Sequence, residues 1–274
     1  MKLGLIGEKL GHSQSPAIHR LIFKALGIDG DYDLIEVERG EVAKALQDLK
    51  RRGYTGVNVT IPYKRDVMPC LDDIAREAHV IGAVNTIYMT SQGDFGYNTD
   101  YHGFGRSLDH AGIDVQGKKC VVLGTGGAAR AILKCLADKE AASLTIVSRR
   151  IQDDTEFETF AAGLHAELIS YNELEEHRGD ILVNCTPVGM YPNVEESPVL
   201  ESVVVGYQAV VDLIYNPKTT KLLAWGAKHG AVTLNGMYML VAQAVGAEEI
   251  WQERRIDSAV IEAISKEMEK QYEK

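Results

Sequence analysis

The chain has 274 residues, with 29 Lys+Arg against 39 Asp+Glu, a formal net charge of −10 and 45% hydrophobic residues. That length favours about two domains, and the composition is ordinary for a globular protein. An acidic balance without any lysine/arginine block argues against nucleic acid and anionic membrane as partners, and no apolar run approaches the roughly 18 residues of a membrane span. Cys70, Cys120, Cys135 and Cys185 form no CxxC pair, so reduced thiols in a cytoplasmic protein are expected, and no metal site. Residues 1–7 are broken by glycine and read as a first strand, not a signal peptide.

Strand-like runs at 3–6, 32–37 and 56–61 alternate with helical patterns at 16–26, 41–51 and 72–78. Residues 84–89 and 94–98, separated by 90–93, read as a hairpin near the edge of a sheet. This alternation implies a mixed sheet, expected to fill a substrate domain at 1–101. Within it, Asn58 and Thr60 share a strand face by the period of two, and Pro62 ends the ladder. Lys64 is then presented just past the strand end, where open α/β sheets place ligands. An ammonium there is either a surface charge or the acid/base or charge-stabilising group of a carbonyl reaction. Asp100 stands where the hairpin turns into a helix; an N-cap at Thr99 or Asp100 is the structural alternative. Ser15-Pro16 reads as an N-cap and first-turn pair, and His12 and His19 as structural.

A helical pattern over 101–112 leads into a second domain, expected at 102–236. There the apolar run Cys120-Val121-Val122-Leu123 ends in Gly124-Thr125-Gly126-Gly127-Ala128-Ala129-Arg130. This is the strand–turn–helix context of a dinucleotide loop. Gly124 makes the turn, Gly126 and Gly127 let the backbone approach a pyrophosphate, and the helix start supplies free N–H groups. Apolar runs at 144–148, 181–185 and 209–213, with a helix near 153–162, continue a doubly wound Rossmann sheet. The run Thr145-Ile146-Val147 leads into Ser148-Arg149-Arg150 with no carboxylate at the turn. Two guanidiniums suit a ribose 2′-phosphate, so NADP is favoured over NAD, although Asp153 and Asp154 follow closely. Two helices, 236–251 and 256–269, close the chain. Val260, Ile261, Ile264 and Met268 share a face, and 237–274 is expected to return to the substrate domain, leaving a ligand cleft between the domains.

Seven segments together resemble the shikimate dehydrogenases. They are Gly11-His12-Ser13-Gln14-Ser15-Pro16-Ala17-Ile18-His19, Gly56-Val57-Asn58-Val59-Thr60-Ile61-Pro62-Tyr63-Lys64, Gly82-Ala83-Val84-Asn85-Thr86, Asn98-Thr99-Asp100, Gly124-Thr125-Gly126-Gly127-Ala128, Asn184-Cys185-Thr186-Pro187-Val188-Gly189-Met190 and Asp212-Leu213-Ile214-Tyr215-Asn216-Pro217. They occur in the family's order across nearly the whole chain, and Gly236 and Gln243 fit its closing helix. The resemblance implies reversible reduction of 3-dehydroshikimate to shikimate with NADPH, on the route to aromatic amino acids. It makes Lys64 and Asp100 the catalytic pair. Ser13, Ser15, Asn58, Thr60, Lys64, Asn85, Asp100, Tyr215 and Gln243 become the substrate shell. Gly124, Gly126, Gly127, Ala128, Ser148, Arg149, Arg150, Thr186, Val188, Met190, Leu213 and Gly236 become the cofactor contacts. These residue types suit a substrate bearing hydroxyls, a ketone and a carboxylate. Relatives often carry Asn where this chain has Arg20, and Asn-Arg-Thr where it has Ser148-Arg149-Arg150; the central arginine is kept. A quinate/shikimate dehydrogenase using NAD or NADP is the alternative enzyme, and a non-catalytic ligand sensor the alternative class; retention of both Lys64 and Asp100 argues against the sensor. Monomer and homodimer are both compatible with the family.

Overall fold

The computed structural model describes residues 1–149 and 155–272. The first part runs β1 (Lys2–Gly7), α1 (Ser15–Leu26), β2 (Asp31–Glu36), α2 (Val42–Arg51), β3 (Gly56–Val59), β4 (Asp73–Ile74), α3 (Arg76–Ile81), β5 (Thr86–Met89) and β6 (Asp94–Tyr97). Then come α4 (Thr99–His110), β7 (Lys119–Leu123), α5 (Ala129–Asp138), β8 (Ser143–Val147), α6 (Thr155–Gly163), β9 (Glu167–Ile169), α7 (Tyr171–Leu174), β10 (Ile181–Asn184), α8 (Glu201–Val204), β11 (Ala209–Asp212), α9 (Lys221–Lys228), β12 (Val232–Leu234), α10 (Met237–Trp251) and α11 (Ser258–Glu269). The chain divides into two compact units, Met1–Gly103 with Val241–Lys266, and Phe104–Leu240 with the segment from Glu267 onward. The C-terminal region, expected to join the first unit as a block, is therefore shared. Lys218 pairs with Glu269, and the Tyr215 and Tyr272 rings meet edge-on at 5.7 Å, which ties the end of the chain to the second unit.

Among the described residues the first unit holds a six-stranded mixed sheet in the order β2-β1-β3-β5-β6-β4. β1 pairs parallel with β2 and β3, the β5–β6 hairpin is antiparallel, and β4 lies parallel outside β6. The expected helix at 72–78 is thus corrected. Asp73–Ile74 are extended, because Asp72 and Asp94 exchange backbone and side-chain hydrogen bonds beside the β6 ladder, and the helix begins only at Arg76. Both faces of the sheet are covered. Val42, Leu46 and Leu49 of α2 pack with Ile6, Val57 and Ile87, while Phe23 of α1 and Ala247 and Trp251 of α10 pack with Leu3. Full burial of such side chains contributes about 1.5–3 kcal/mol each. Trp251 lies flush on β3: its Nε1 donates to Ile87 O at 2.9 Å, and a Cβ on Gly56 would come within 2.2 Å of that nitrogen.

The second unit holds, among the described residues, a six-stranded sheet ordered β12-β11-β10-β7-β8-β9, parallel throughout. Its interior strands β10 and β11 are buried at every position, as expected when helices cover both faces. This is the doubly wound order in which the first strand of the unit sits beside the fourth, opening a crevice at the strands' carboxyl ends. β9, α7, α8, α9 and β12 escaped the sequence reading; four of these are only three or four residues long, too short for a periodic signal.

Candidate active site

β3 ends at Val59, yet the Thr60 N–H still bonds Ile6 O at 2.9 Å, and the Tyr63 N–H closes a turn onto Thr60 O at 3.0 Å. The buried Tyr63 ring pins that turn, its hydroxyl donating to Val37 O at 2.5 Å, and the Val84 N–H bonds Lys64 O at 2.8 Å. Lys64 is therefore held by its own backbone on both sides. Asp100 arrives from the other direction. Asn98 donates to Ala83 O at 3.0 Å and accepts the Tyr101 N–H at 3.2 Å, so Asn98 is the cap of α4. The N-cap reading of Thr99 and Asp100 is corrected accordingly. Asp100 occupies the first turn of the helix, where the dipole favours an anion, and its Oδ2 accepts from Lys64 Nζ at 2.5 Å. Their side chains are 18% and 14% exposed. Such a pair is partly withdrawn from water but still open on one side, and it can pass one proton between nitrogen, oxygen and a third atom placed against it.

Around this pair the first unit gathers polar side chains with defined senses. Asn85 Oδ1 accepts from the Thr99 N–H (2.7 Å), Thr99 Oγ1 (3.2 Å) and Thr86 Oγ1 (3.1 Å). Its oxygen is saturated, so Asn85 has its amide N–H groups to offer a ligand. Asn58 is the converse. Its Nδ2 donates to Thr86 Oγ1 (3.0 Å) and Asn85 O (3.3 Å), while Oδ1 accepts from Tyr32 at 2.7 Å, leaving one lone pair for a ligand hydroxyl. Ser13 Oγ accepts the Ser15 N–H at 3.2 Å. Helix α1 starts at Ser15 itself after Gln14, so Ser15 does not serve as the N-cap. Thr60 is half-buried in the turn before Lys64, and Gln243 lies half-buried on the part of α10 that belongs to this unit. His12 is exposed, whereas His19 is fully buried and bonds Glu248 at 2.6 Å.

In the second unit a cavity of about 350 Å³ opens over the glycine loop, bounded by Gly124, Gly126, Ser148, Arg149 and Thr186 of the expected cofactor residues. Gly124 has φ +94°, and a Cβ there would strike the Thr186 methyl at 2.8 Å. Gly126 and Gly127 differ: a Cβ at either would meet nothing within 4 Å. Packing within the chain therefore does not demand glycine there; a ligand lying against the backbone does. α5 starts at Ala129 after Ala128, so the loop delivers free N–H groups at a helix N-terminus. These residues fit a dinucleotide phosphate. Arg150 and the acidic pair Asp153 and Asp154 lie outside the described residues. Val188, Met190 and Leu213 sit on loops beyond β10 and β11, and Tyr215 follows in the same unit. Gly236 precedes α10, and a Cβ there would fall 1.9 Å from Leu213 O, so backbone contact within the unit already requires glycine.

Several contributors were not singled out from the sequence. Tyr171 lines the nucleotide cavity; burial pushes its phenol up and the Arg149 guanidinium pulls it back. It follows the third strand of a parallel sheet, a position whose carboxyl-end location could have flagged it. Asn184 and Asp212 end β10 and β11. Asn184 Oδ1 accepts the Thr186 N–H (2.9 Å) and hydroxyl (2.7 Å), and its Nδ2 donates to Asp212 Oδ1 (3.0 Å). Asp212 also accepts from the Ile214 N–H (3.1 Å) and Thr220 (2.7 Å). Burial pushes the Asp212 carboxyl up to about 6 despite these hydrogen bonds. The network fixes the two loops that carry Thr186 and Leu213. Cys185 lines the same cavity, but burial raises its thiol, so it is not a thiolate nucleophile.

A phosphate-accepting glycine loop in one α/β unit and an ammonium–carboxylate pair in the other define the class of two-unit dinucleotide-linked proteins. The profile of the shikimate dehydrogenase substrate binding domain matches residues 5–87. The chain is 46% identical over 270 residues to the shikimate dehydrogenase (NADP(+)) of Clostridium perfringens strain SM101, covering 98% of both chains. It superposes with TM-score 0.94 at 43% identity on a chorismate mutase/shikimate 5-dehydrogenase fusion protein from Clostridium acetobutylicum, covering 100% of this chain and 98% of that one. The shikimate 5-dehydrogenase of Listeria monocytogenes, solved with shikimate and NAD, matches with TM-score 0.88 at 30% identity over 96% of this chain and 95% of that one. The chain belongs to the shikimate dehydrogenase family.

Proposed function

We propose that this chain is an NADP-dependent shikimate dehydrogenase, reversibly reducing 3-dehydroshikimate to shikimate for aromatic amino acid biosynthesis. The observation that carries the reading is the Lys64–Asp100 contact at 2.5 Å, between groups 36 positions apart. The first unit binds substrate. Ser13 and Ser15 suit its carboxylate; Asn58, Thr60, Asn85 and Gln243 suit its oxygens, and the family resemblance adds Tyr215 of the second unit. Lys64 and Asp100 bracket the reacting oxygen, one donating the proton that the carbonyl oxygen takes up on reduction and the other stabilising its partner's charge. The second unit binds cofactor. Gly124, Gly126, Gly127 and Ala128 would hold the pyrophosphate. Ser148, Arg149 and Arg150 would hold the 2′-phosphate, with Thr186, Val188, Met190, Leu213 and Gly236 flanking the nicotinamide end. NADPH, when bound, supplies the hydride. The protein works in the cytoplasm, where its four free cysteines stay reduced, as a monomer or homodimer; light scattering on the purified protein distinguishes the two.

The test is steady-state turnover of 3-dehydroshikimate with NADPH against 3-dehydroquinate with NADH. Fast NADPH loss with the first pair is expected. Faster turnover of the second pair would make the chain a quinate/shikimate dehydrogenase, and binding without turnover would make it a ligand sensor. Asp100→Asn is expected to keep the fold and lose most activity; reduced stability at full specific activity would leave Asp100 only a helix-terminus role.

A further inference from the structure

Tyr32, on the edge strand β2, is absent from the catalytic pair and from the substrate shell proposed above. Yet it bears on two members of that shell. Its hydroxyl donates to Asn58 Oδ1 at 2.7 Å, and another member of the shell, Ser15, lies near enough to pull on the phenol's titration. Its ring stacks on His19, centroids 3.9 Å apart and planes at 11°. His19 is fixed in turn, with Nδ1 bonded to Glu248 at 2.6 Å, and Gln252 donates to the other oxygen of Glu248 at 2.6 Å. Strand β3 through Asn58, helix α1 through His19, and helix α10 through the His19–Glu248 bond are thus linked around one phenol. Burial and the Glu248 charge hold that phenol well above its ordinary titration range, against the pull of Ser15, so it stays a neutral donor at working pH.

We infer that Tyr32 is a positioning residue: it locks Asn58 with its carbonyl oxygen turned to accept from a substrate hydroxyl. An amide that loses the partner of its oxygen is held only by the bonds of its Nδ2, here to Thr86 and Asn85, and turns more readily; turned the other way it would present N–H groups where an acceptor is needed. The inference rests on the substrate shell proposed above.

The experiment is steady-state kinetics in the shikimate-oxidation direction on wild type, Tyr32→Phe, Ser15→Ala, Asn58→Ala and the Tyr32→Phe/Asn58→Ala double variant. Tyr32→Phe keeps the ring stack and removes only the hydroxyl. Its KM for shikimate is expected to rise about five-fold, the size of one lost neutral hydrogen bond. kcat should change less than about two-fold and the KM for NADP should not move, because those contacts lie in the other unit. The double variant should fall short of the product of the single effects, as for groups that act through one another. KM does not depend on how much protein is folded, so poor recovery of a variant does not mask the result. An unchanged shikimate KM in Tyr32→Phe, a parallel rise in both KM values, or strict multiplicativity overturns the inference. If Ser15→Ala and Asn58→Ala themselves leave the shikimate KM unchanged, the substrate shell is what fails.

Discussion

Arg149 and Asp212 show how a single side chain can be given a testable role. Arg149 borders the nucleotide cavity at the end of β8, where an acidic residue would instead select for a free 2′-hydroxyl. Arg149→Ala is therefore expected to weaken NADPH about ten-fold or more in a direct titration while NADH changes little; equal losses would mean that the guanidinium does not read the phosphate. Asp212 makes a prediction about pH. Its carboxyl titrates near 3.8 when exposed and is raised to about 6 by burial. Between those values the folded chain holds a proton that the unfolded chain has released. Stability contributed through this group therefore falls as pH rises from about 4 to about 6, by an upper bound on the order of 3 kcal/mol. Asp212→Asn cannot titrate, so the wild-type-minus-variant difference in unfolding free energy should shrink across that window. A flat difference would show that Asp212 ionises normally in the fold.

The elements divide into those built by packing and those kept open. Gly56 on β3 and Gly126 in the loop after β7 carry the same residue for opposite reasons. A Cβ on Gly56 would press into the Trp251 indole at 2.2–2.6 Å, whereas one on Gly126 would meet nothing. Gly56→Ala is expected to lower thermal stability, by about 1–3 kcal/mol as overpacking does, by displacing α10 from the sheet. Gly126→Ala should leave the melting temperature in place and raise the NADPH dissociation constant about ten-fold. A melting curve and a cofactor titration on both variants check this, and equal melting losses would refute the distinction. The same contrast explains what could be read from sequence. Strands such as β7 and β10 are continuous apolar runs and were legible from their composition. β4 was not, because its two residues are extended by side-chain and backbone bonds from Asp72 to Asp94, partners 22 positions away. Nor was the true start of α1, because Pro16 is compatible with more than one position in the first turn.

At the scale of the whole chain, the order of motifs across the sequence is enough to disclose two units and their nucleotide loop. It also picked out Lys64 and Asp100, since a lysine past a strand end and an aspartate at a helix start are local patterns. What stayed hidden is relational. Tyr32 carries no motif, and its contacts with Asn58 and His19 arise only on folding. Asn184 and Asp212 were visible as motif letters, but their mutual hydrogen bond and the burial that shifts Asp212 arise only when β10 and β11 pair. The chemistry proposed above nevertheless reduces to one encounter in the first unit, between Lys64 and Asp100, and one measurement addresses it. Lys64→Ala, saturated with NADPH and mixed rapidly with 3-dehydroshikimate, should oxidise the cofactor about a hundred-fold or more slowly than wild type, with NADPH affinity unchanged. Cofactor oxidation at close to the wild-type rate would contradict the role given to the Lys64–Asp100 pair.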